Sequence, residues 1–246
     1  MCIRDSRTAV CCEIGPDEGG GTRKDAQKAL QWYRHAAMLE NVPAMYKLGM
    51  ILLKGLLGQP KNASEAVTWL NAAAQRADAE NPHALHELGL LHEDPTANAG
   101  GGGPGVVPRD GARALELFRQ SAALGYKYSQ FRVGQAHEYG MLGCTVDPRR
   151  SIVWYTKAAA QGEHQSELAL SGWYLTGSDG ILEHSDVEAY LWAKKAASSE
   201  PPLPKAIFAM GYAFSELQSG DQMAVEVKLI VSHGQVLCRK WNWMSA

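Results

Sequence analysis

Gly100, Gly102 and Gly105 spell GxGxxG, the letters of a turn whose glycines let the backbone close on a pyrophosphate at a helix N-terminus. That chemistry needs a strand before the run and a helix opening at the third glycine. Here Pro104 interrupts the run and Val106-Val107-Pro108-Arg109-Asp110 follows it, so the segment reads as a loop and no nucleotide cofactor is expected. His86 and His92, in HELGLLHE, are residues that could ligate zinc. Their separation of six turns a helix through about 240°, whereas the HExxH pair shares one face. Interhelical hydrogen bonding or solvation is therefore expected of both, as of His35 and of His137 with Glu138. Asn62-Ala63-Ser64 is a glycosylation triplet in letters, but Asn62 also fits a helix cap. Asp17 with Glu18 lies in a tail, and Asp186 with Glu188 belongs to the first turn of a helix, where acids suit the dipole. With no GxSxG, no Walker loop and no placed Cys–His set, the chain reads as no enzyme, with no metal, cofactor or small-molecule substrate.

The elements that position these residues follow from composition and period. At 246 residues, 46% apolar and 20% charged, the chain can build a globular core without staples. Lys plus Arg number 24 against 26 Asp plus Glu, so no global field favours nucleic acid. The five cysteines Cys2, Cys11, Cys12, Cys144 and Cys238 form neither a disulfide framework nor a CxxC pair. No signal-peptide core and no run of about 18 apolar residues occurs, so a cytosolic chain without a membrane span is expected.

A repeat organises what lies between. Trp32, Trp69, Leu117, Trp154 and Trp192 stand 37, 48, 37 and 38 residues apart. Seven positions before each anchor are Asp25, Asn62, Asp110, Asp147 and Ser185, side chains that accept from the free N–H groups of a first helical turn. Pro148, directly after Asp147, suits a first helical position. Three before and four after each anchor are Ala or Ser, and five after is Ala in all five units. These offsets make one small-residue stripe that a neighbouring helix can approach closely. A second helix per unit is marked by Gly49, Gly89, Gly134, Ser171 and Gly211, expected to meet the anchor helix backbone to backbone. Gly55 with Gly58, Gly140 with Gly143 and Gly177 with Gly180 are expected to end these helices in left-handed turns.

The predicted fold is a right-handed all-α solenoid of about five helix-turn-helix units over residues 24–214. Residues 1–23 form an irregular N-terminal tail, 94–108 a Gly/Pro-rich loop, and 215–246 an atypical C-terminal tail that lacks the alanine columns. The chain is accordingly expected to be truncated, or altered at its end, relative to a longer protein. Trp32-Tyr33 and Trp154-Tyr155 resemble carbohydrate-stacking platforms, but their place beside alanines assigns them to the core. Two positions after each anchor stand Arg34, Asn71, Arg119, Thr156 and Lys194, polar throughout and positive in three units. Solvation alone accounts for such a column; its functional reading is a weakly basic groove for an acidic segment of a protein partner.

KALQWYRHAA with KLGMILLKG, and SIVWYTKAAAQG, resemble Sel-one-like repeats, longer relatives of tetratricopeptide repeats. PGVVPRDGARALELFRQSAALG and GCTVDPRRSIVWYTKAAAQGEHQSELALSGWYLTGSDGILEHSDVEAYLWAKKAA are similar to the repeat region of fungal chitin synthase activators. The resemblance covers about 24–214. It implies a non-catalytic adaptor at the cytosolic face of the plasma membrane or septum that binds a chitin synthase catalytic subunit and localises or activates it for cell-wall chitin deposition. Some members end in a prenylation box, but Trp243-Met244-Ser245-Ala246 is not one. The alternative on the same scaffold is a generic repeat adaptor for another complex, such as membrane-protein quality control or signalling. A helical hydrolase or transferase would need paired carboxylates converging in a cleft.

Overall fold

The computed structural model describes residues 26–94 and 107–219, all of whose regular elements are helices. Asp25, the expected cap of the first helix, and nearly all of the 94–108 loop lie outside the described residues, as do residues 1–23 and 220–246. Two compact units make up the chain, Met1–Val146 and Asp147–Ala246.

The first unit holds α1 (Ala26–Met38), α2 (Val42–Lys54), α3 (Ala63–Gln75), α4 (His83–Glu93), α5 (Gly111–Ala123) and α6 (Lys127–Tyr139). The second holds α7 (Pro148–Ala160), α8 (His164–Thr176), α9 (Asp186–Ala197) and α10 (Pro204–Ser219). Odd-numbered helices carry the anchors and even-numbered ones the glycines. The starts of the odd helices are capped as their sequence demands. The side chains of Asn62, Asp110, Asp147 and Ser185 accept from the backbone N–H groups of Glu65, Arg113, Arg150 and Glu188, and Pro148 takes the first helical position of α7. Each cap satisfies an otherwise orphan donor and is worth about 1 kcal/mol. The glycine pairs all adopt positive φ, and Gly55 and Gly140 end α2 and α6 in the left-handed conformation.

Packing follows the small-residue stripe. Ala66, Ala73, Ala114, Ser121, Ser151, Ala158, Ala189 and Ala196 are all fully buried. Between them, one residue after the anchor, sit Leu70, Phe118, Tyr155 and Ala193, at most 1% exposed. Of the anchors, Leu117 is buried in the core at 3% exposure, but the tryptophans are not the core residues that their repetition promised. Trp32 is 62% exposed, and Trp154 and Trp192 are half-buried beneath Lys157 and Lys195, whose Nζ atoms stand 4.4 and 5.0 Å from the ring centroids. Offsets of −3, +1 and +4 centre the buried stripe near +1, about 100° around the helix from the anchor, which leaves the indole at its edge. Tyr155 is the ring of its pair that fills the interior.

Gly49 and Gly89 do meet anchor helices, but those of the following repeat. A Cβ on Gly49 would lie 2.9 Å from Leu70 Cγ on α3, and one on Gly89 would lie 2.6 Å from Phe118 Cε1 on α5. Where serine replaces glycine, Ser171 Oγ donates to Ala189 O on α9 at 2.8 Å. At Gly211 on α10 nothing lies within 4 Å. Thus α2, α4 and α8 pack on the next odd helix, α3, α5 and α9, as well as on the odd helix before them, and α10 packs on α9. One boundary also shifts. α10 continues through Ser219, past residue 215 where the tail was expected to begin, because Phe214 and Leu217 still pack on Tyr190 and Ala213.

Candidate functional site

The column at two residues past the anchor lies on α1, α3, α5, α7 and α9, about 100° beyond the buried stripe's centre and so turned away from it. In the first unit, Asn71 and Arg119 are exposed and Arg34 is half-buried. Arg34 Nε is enclosed with no hydrogen-bond acceptor among the described residues, and Arg119 Nη2 is 3.8 Å from Cys144 Sγ. In the second unit, Lys194 is half-buried, while exposed Thr156 turns its hydroxyl back to donate to Ile152 O at 2.8 Å. Each residue is positioned by its own helix.

The even helices of the first unit hold a more concentrated set of side chains. Tyr46 of α2, His83 at the start of α4 and Tyr126, just before α6, form a ladder of half-buried rings. Centroids are 5.4 Å apart from Tyr46 to His83 and 5.0 Å from His83 to Tyr126, the latter edge to face. Tyr128 extends it by 5.3 Å and His86 joins Tyr126 at 5.2 Å. Glu87 lies one turn after His83 on the same face of α4. Burial pushes its carboxyl above the ordinary range, against a smaller opposite pull from Lys54. Burial, and then the charge of Glu87, push the hydroxyls of both Tyr46 and Tyr126 up to about 12, which keeps them protonated.

Beneath the ladder runs a buried polar chain. His86 Nδ1 is 2.8 Å from Ser129 Oγ, Ser129 Oγ donates to Ser121 Oγ at 2.8 Å, and Ser121 Oγ donates to Pro82 O at 3.1 Å. With the Ser129 proton committed to Ser121, Nδ1–H of a neutral imidazole is the donor to Ser129. Burial, reinforced by the charges of Arg132 and His83, pushes His86 down to about 4. This is the interhelical role expected for it. His92 accordingly looks elsewhere, with Nδ1 3.2 Å from Pro108 O. No group of three His, Cys, Asp or Glu side chains able to hold a metal occurs among the described residues.

In the second unit the carboxylate of Glu167, fully buried on α8, meets Lys195 Nζ of α9 at 3.0 Å and His164 Nδ1 at 2.8 Å. Lys195 Nζ also donates to Ala159 O of α7 at 3.3 Å, so one ammonium ties three consecutive helices. Glu163 caps α8 through Gln165 N and Ser166 N. Neither unit brings a nucleophile, base and open cleft together among the described residues. The ladder escapes repeat alignment because its residues do not recur. The positions matching Glu87, two before the glycine or the serine that replaces it, are Lys47, Arg132, Ala169 and Ala209. The signal within reach was the His83–Glu87 spacing of four, which places an imidazole and a carboxylate on one face.

Capped helical hairpins packed through small-residue stripes define an all-α solenoid of helical repeats. The Sel1 repeat model matches residues 8–41, 42–78, 82–126, 127–163 and 164–200, and the chain belongs to the Sel1 repeat family. The second, third and fifth of these matches join α2 to α3, α4 to α5 and α8 to α9, the phase that the glycine contacts define. Over 210 residues the chain is 42% identical to chitin synthase regulatory factor 3 of Schizosaccharomyces pombe, covering 85% of this chain and 21% of that protein. It is 34% identical over 219 residues to chitin synthase regulator SKT5 of Saccharomyces cerevisiae, covering 88% and 30%. A third relative, activator of C kinase protein 1 of the same yeast, is 36% identical over 199 residues, covering 77% and 32%. The chain thus spans between a fifth and a third of the length of these relatives. Among solved structures, a protective antigen of uropathogenic Escherichia coli with an SLR fold superposes with a TM-score of 0.62 at 32% identity, covering 73% of this chain and 35% of that one. No described helix is long and apolar enough to cross a membrane.

Proposed function

We propose that this chain is an adaptor that binds a chitin synthase catalytic subunit and localises or activates it for chitin deposition, at the cytosolic face of the plasma membrane or septum. The observation that carries the reading is the similarity to chitin synthase regulatory factor 3 across most of this chain. The binding surface of the proposal includes the column Arg34, Asn71, Arg119, Thr156 and Lys194, polar in every unit and half-buried or exposed throughout. A scaffold without chemistry activates an enzyme by binding one of its conformations better than another. Activator of C kinase protein 1 carries a second reading, in which the same repeats serve a signalling complex instead.

The test is capture of chitin synthase from a fungal membrane extract on the immobilised full chain, scored by mass spectrometry. Enrichment of the synthase is expected, and its loss when Arg34, Arg119 and Lys194 are all replaced by Glu with helix content unchanged. A well-folded chain that enriches no synthase refutes the adaptor reading. Undiminished capture by the triple variant removes the column from the surface.

A further inference from the structure

Glu87 is half-buried on α4 and has neither a hydrogen bond nor an ion pair among the described residues. Glu93 pairs with Arg132, Glu163 caps α8, Glu167 holds Lys195 and His164, and Glu65 accepts from Asn62. A carboxylate partly withdrawn from water and left without a donor carries a desolvation cost that the charge of Lys54 offsets only in part, and an arriving cation recovers more of it.

We propose that Glu87, one turn along α4 from His83 of the Tyr46–His83–Tyr126 ladder, is the seat for the guanidinium of a single arginine in an extended segment of a protein partner. The three rings come from successive even helices and stand 5.0 to 5.4 Å apart along the ladder. Both phenols feel the charge of the Glu87 carboxylate. A guanidinium is planar and weakly hydrated, stacks on aromatic faces and forks onto a carboxylate; an ammonium does none of these as well. The exposed lysines Lys47 and Lys54 of α2 flank the ladder, and their charge is felt at His83 and Glu87 respectively without an ion pair to either. They repel a polybasic tract and favour acidic residues on either side of the one arginine. The seat lies wholly within the first unit, and the inference holds whichever protein carries the segment.

The experiment titrates the full chain with acetyl-Gly-Glu-Arg-Glu-Gly-amide and with versions carrying Lys, citrulline or Asp in place of Arg, read by isothermal calorimetry and by amide shifts of α2, α4 and α6. The arginine peptide is expected to bind, with affinity lower by about tenfold for Lys and for citrulline. Glu87→Gln should lose about tenfold and Tyr46→Leu a similar factor, while Tyr46→Phe, which keeps the ring, retains binding. Equal affinity of Glu87→Gln and the unmodified chain overturns the proposal, as does preference for the Asp peptide or no binding of the Arg peptide. Unchanged circular dichroism of Glu87→Gln makes its loss a statement about the seat rather than about folding.

Discussion

Replacing Gly89 by Ala and Gly211 by Ala makes the same chemical change at equivalent positions of two even helices, and the outcomes should have opposite signs. In either helix interior the methyl group contributes about 1 kcal/mol through backbone entropy and propensity. At Gly211 nothing lies within 4 Å of the new Cβ, so Gly211→Ala should stabilise by about 0.5–1 kcal/mol. At Gly89 the Cβ would stand 2.6 Å from Phe118 Cε1, about 1 Å inside normal contact. The ring is fully buried, with His86 at 5.4 Å on one side and the Arg132 guanidinium at 5.7 Å, so it has nowhere to turn. Overpacking of this kind costs about 2–3 kcal/mol, the upper part of its usual range, leaving a net loss of about 1–2 kcal/mol. Urea denaturation followed by circular dichroism measures both, with hydrogen exchange assigning each change to α4 or α10. Phe118→Leu should rescue part of the loss, giving a favourable coupling energy in the double-mutant cycle. A Gly89→Ala variant at least as stable as the parent, or a cycle with no coupling, would refute the claim that these glycines exist to seat the next helix.

Asp147→Ala, which strips the cap from α7, should cost about 1 kcal/mol in the second unit, read as a lower urea midpoint; Asp147→Asn should cost little. Lys195→Ala leaves the Glu167 carboxylate buried with only His164 beside it and should cost about 2–3 kcal/mol, discounted from a fully buried pair because Lys195 is half exposed. The Glu167→Leu, Lys195→Met double variant should recover most of that, by the same denaturation assay. His86 sits in the folded chain at about 4, below its ordinary 6.5. Between those values the unfolded state binds the proton and the folded state does not, so stability is full above pH 6.5 and falls by about 3 kcal/mol as pH drops toward 4. His83, lowered by burial and then by the charge of Lys47, acts in the same direction. In His86→Asn the slope over that window should flatten, whereas an unchanged slope would assign the acid sensitivity elsewhere.

What was legible in the sequence was local or periodic. A cap depends on one side chain and the N–H three residues on, so Asn62, Asp110, Asp147 and Ser185 could be named from spacing alone. Glycine turns are equally local. Which neighbouring helix the glycines approach was not legible, because shifting the unit by half its length leaves every column aligned. Contacts such as Gly49 with Leu70 decide it. The tryptophans misled for a related reason. Recurrence marks a position that matters, and Trp154 matters at the border between core and solvent, with Lys157 over its face. The aromatic ladder was invisible to alignment because Tyr46, His83, Glu87 and Tyr126 belong to different columns and become neighbours only when three hairpins stack. His86 was legible as a hydrogen-bonding residue, but its partner Ser129 lies 43 positions away.

The variation at the glycine positions carries a consequence for assembly order. Glycine on α2 and α4 admits a leucine and a phenyl ring, whereas Ser171 on α8 faces the helix that carries Ala193. A phenyl ring brought against Ser171 would collide with its side chain, and an alanine brought against Gly89 would leave a void the size of the lost ring. Neighbouring hairpins therefore recognise one another by volume, and a chain that skipped or exchanged a hairpin while folding would be rejected at the mismatched joint. The order of the stack is thus favoured by steric fit at buried residues, joined at α8 and α9 by the Ser171 hydrogen bond.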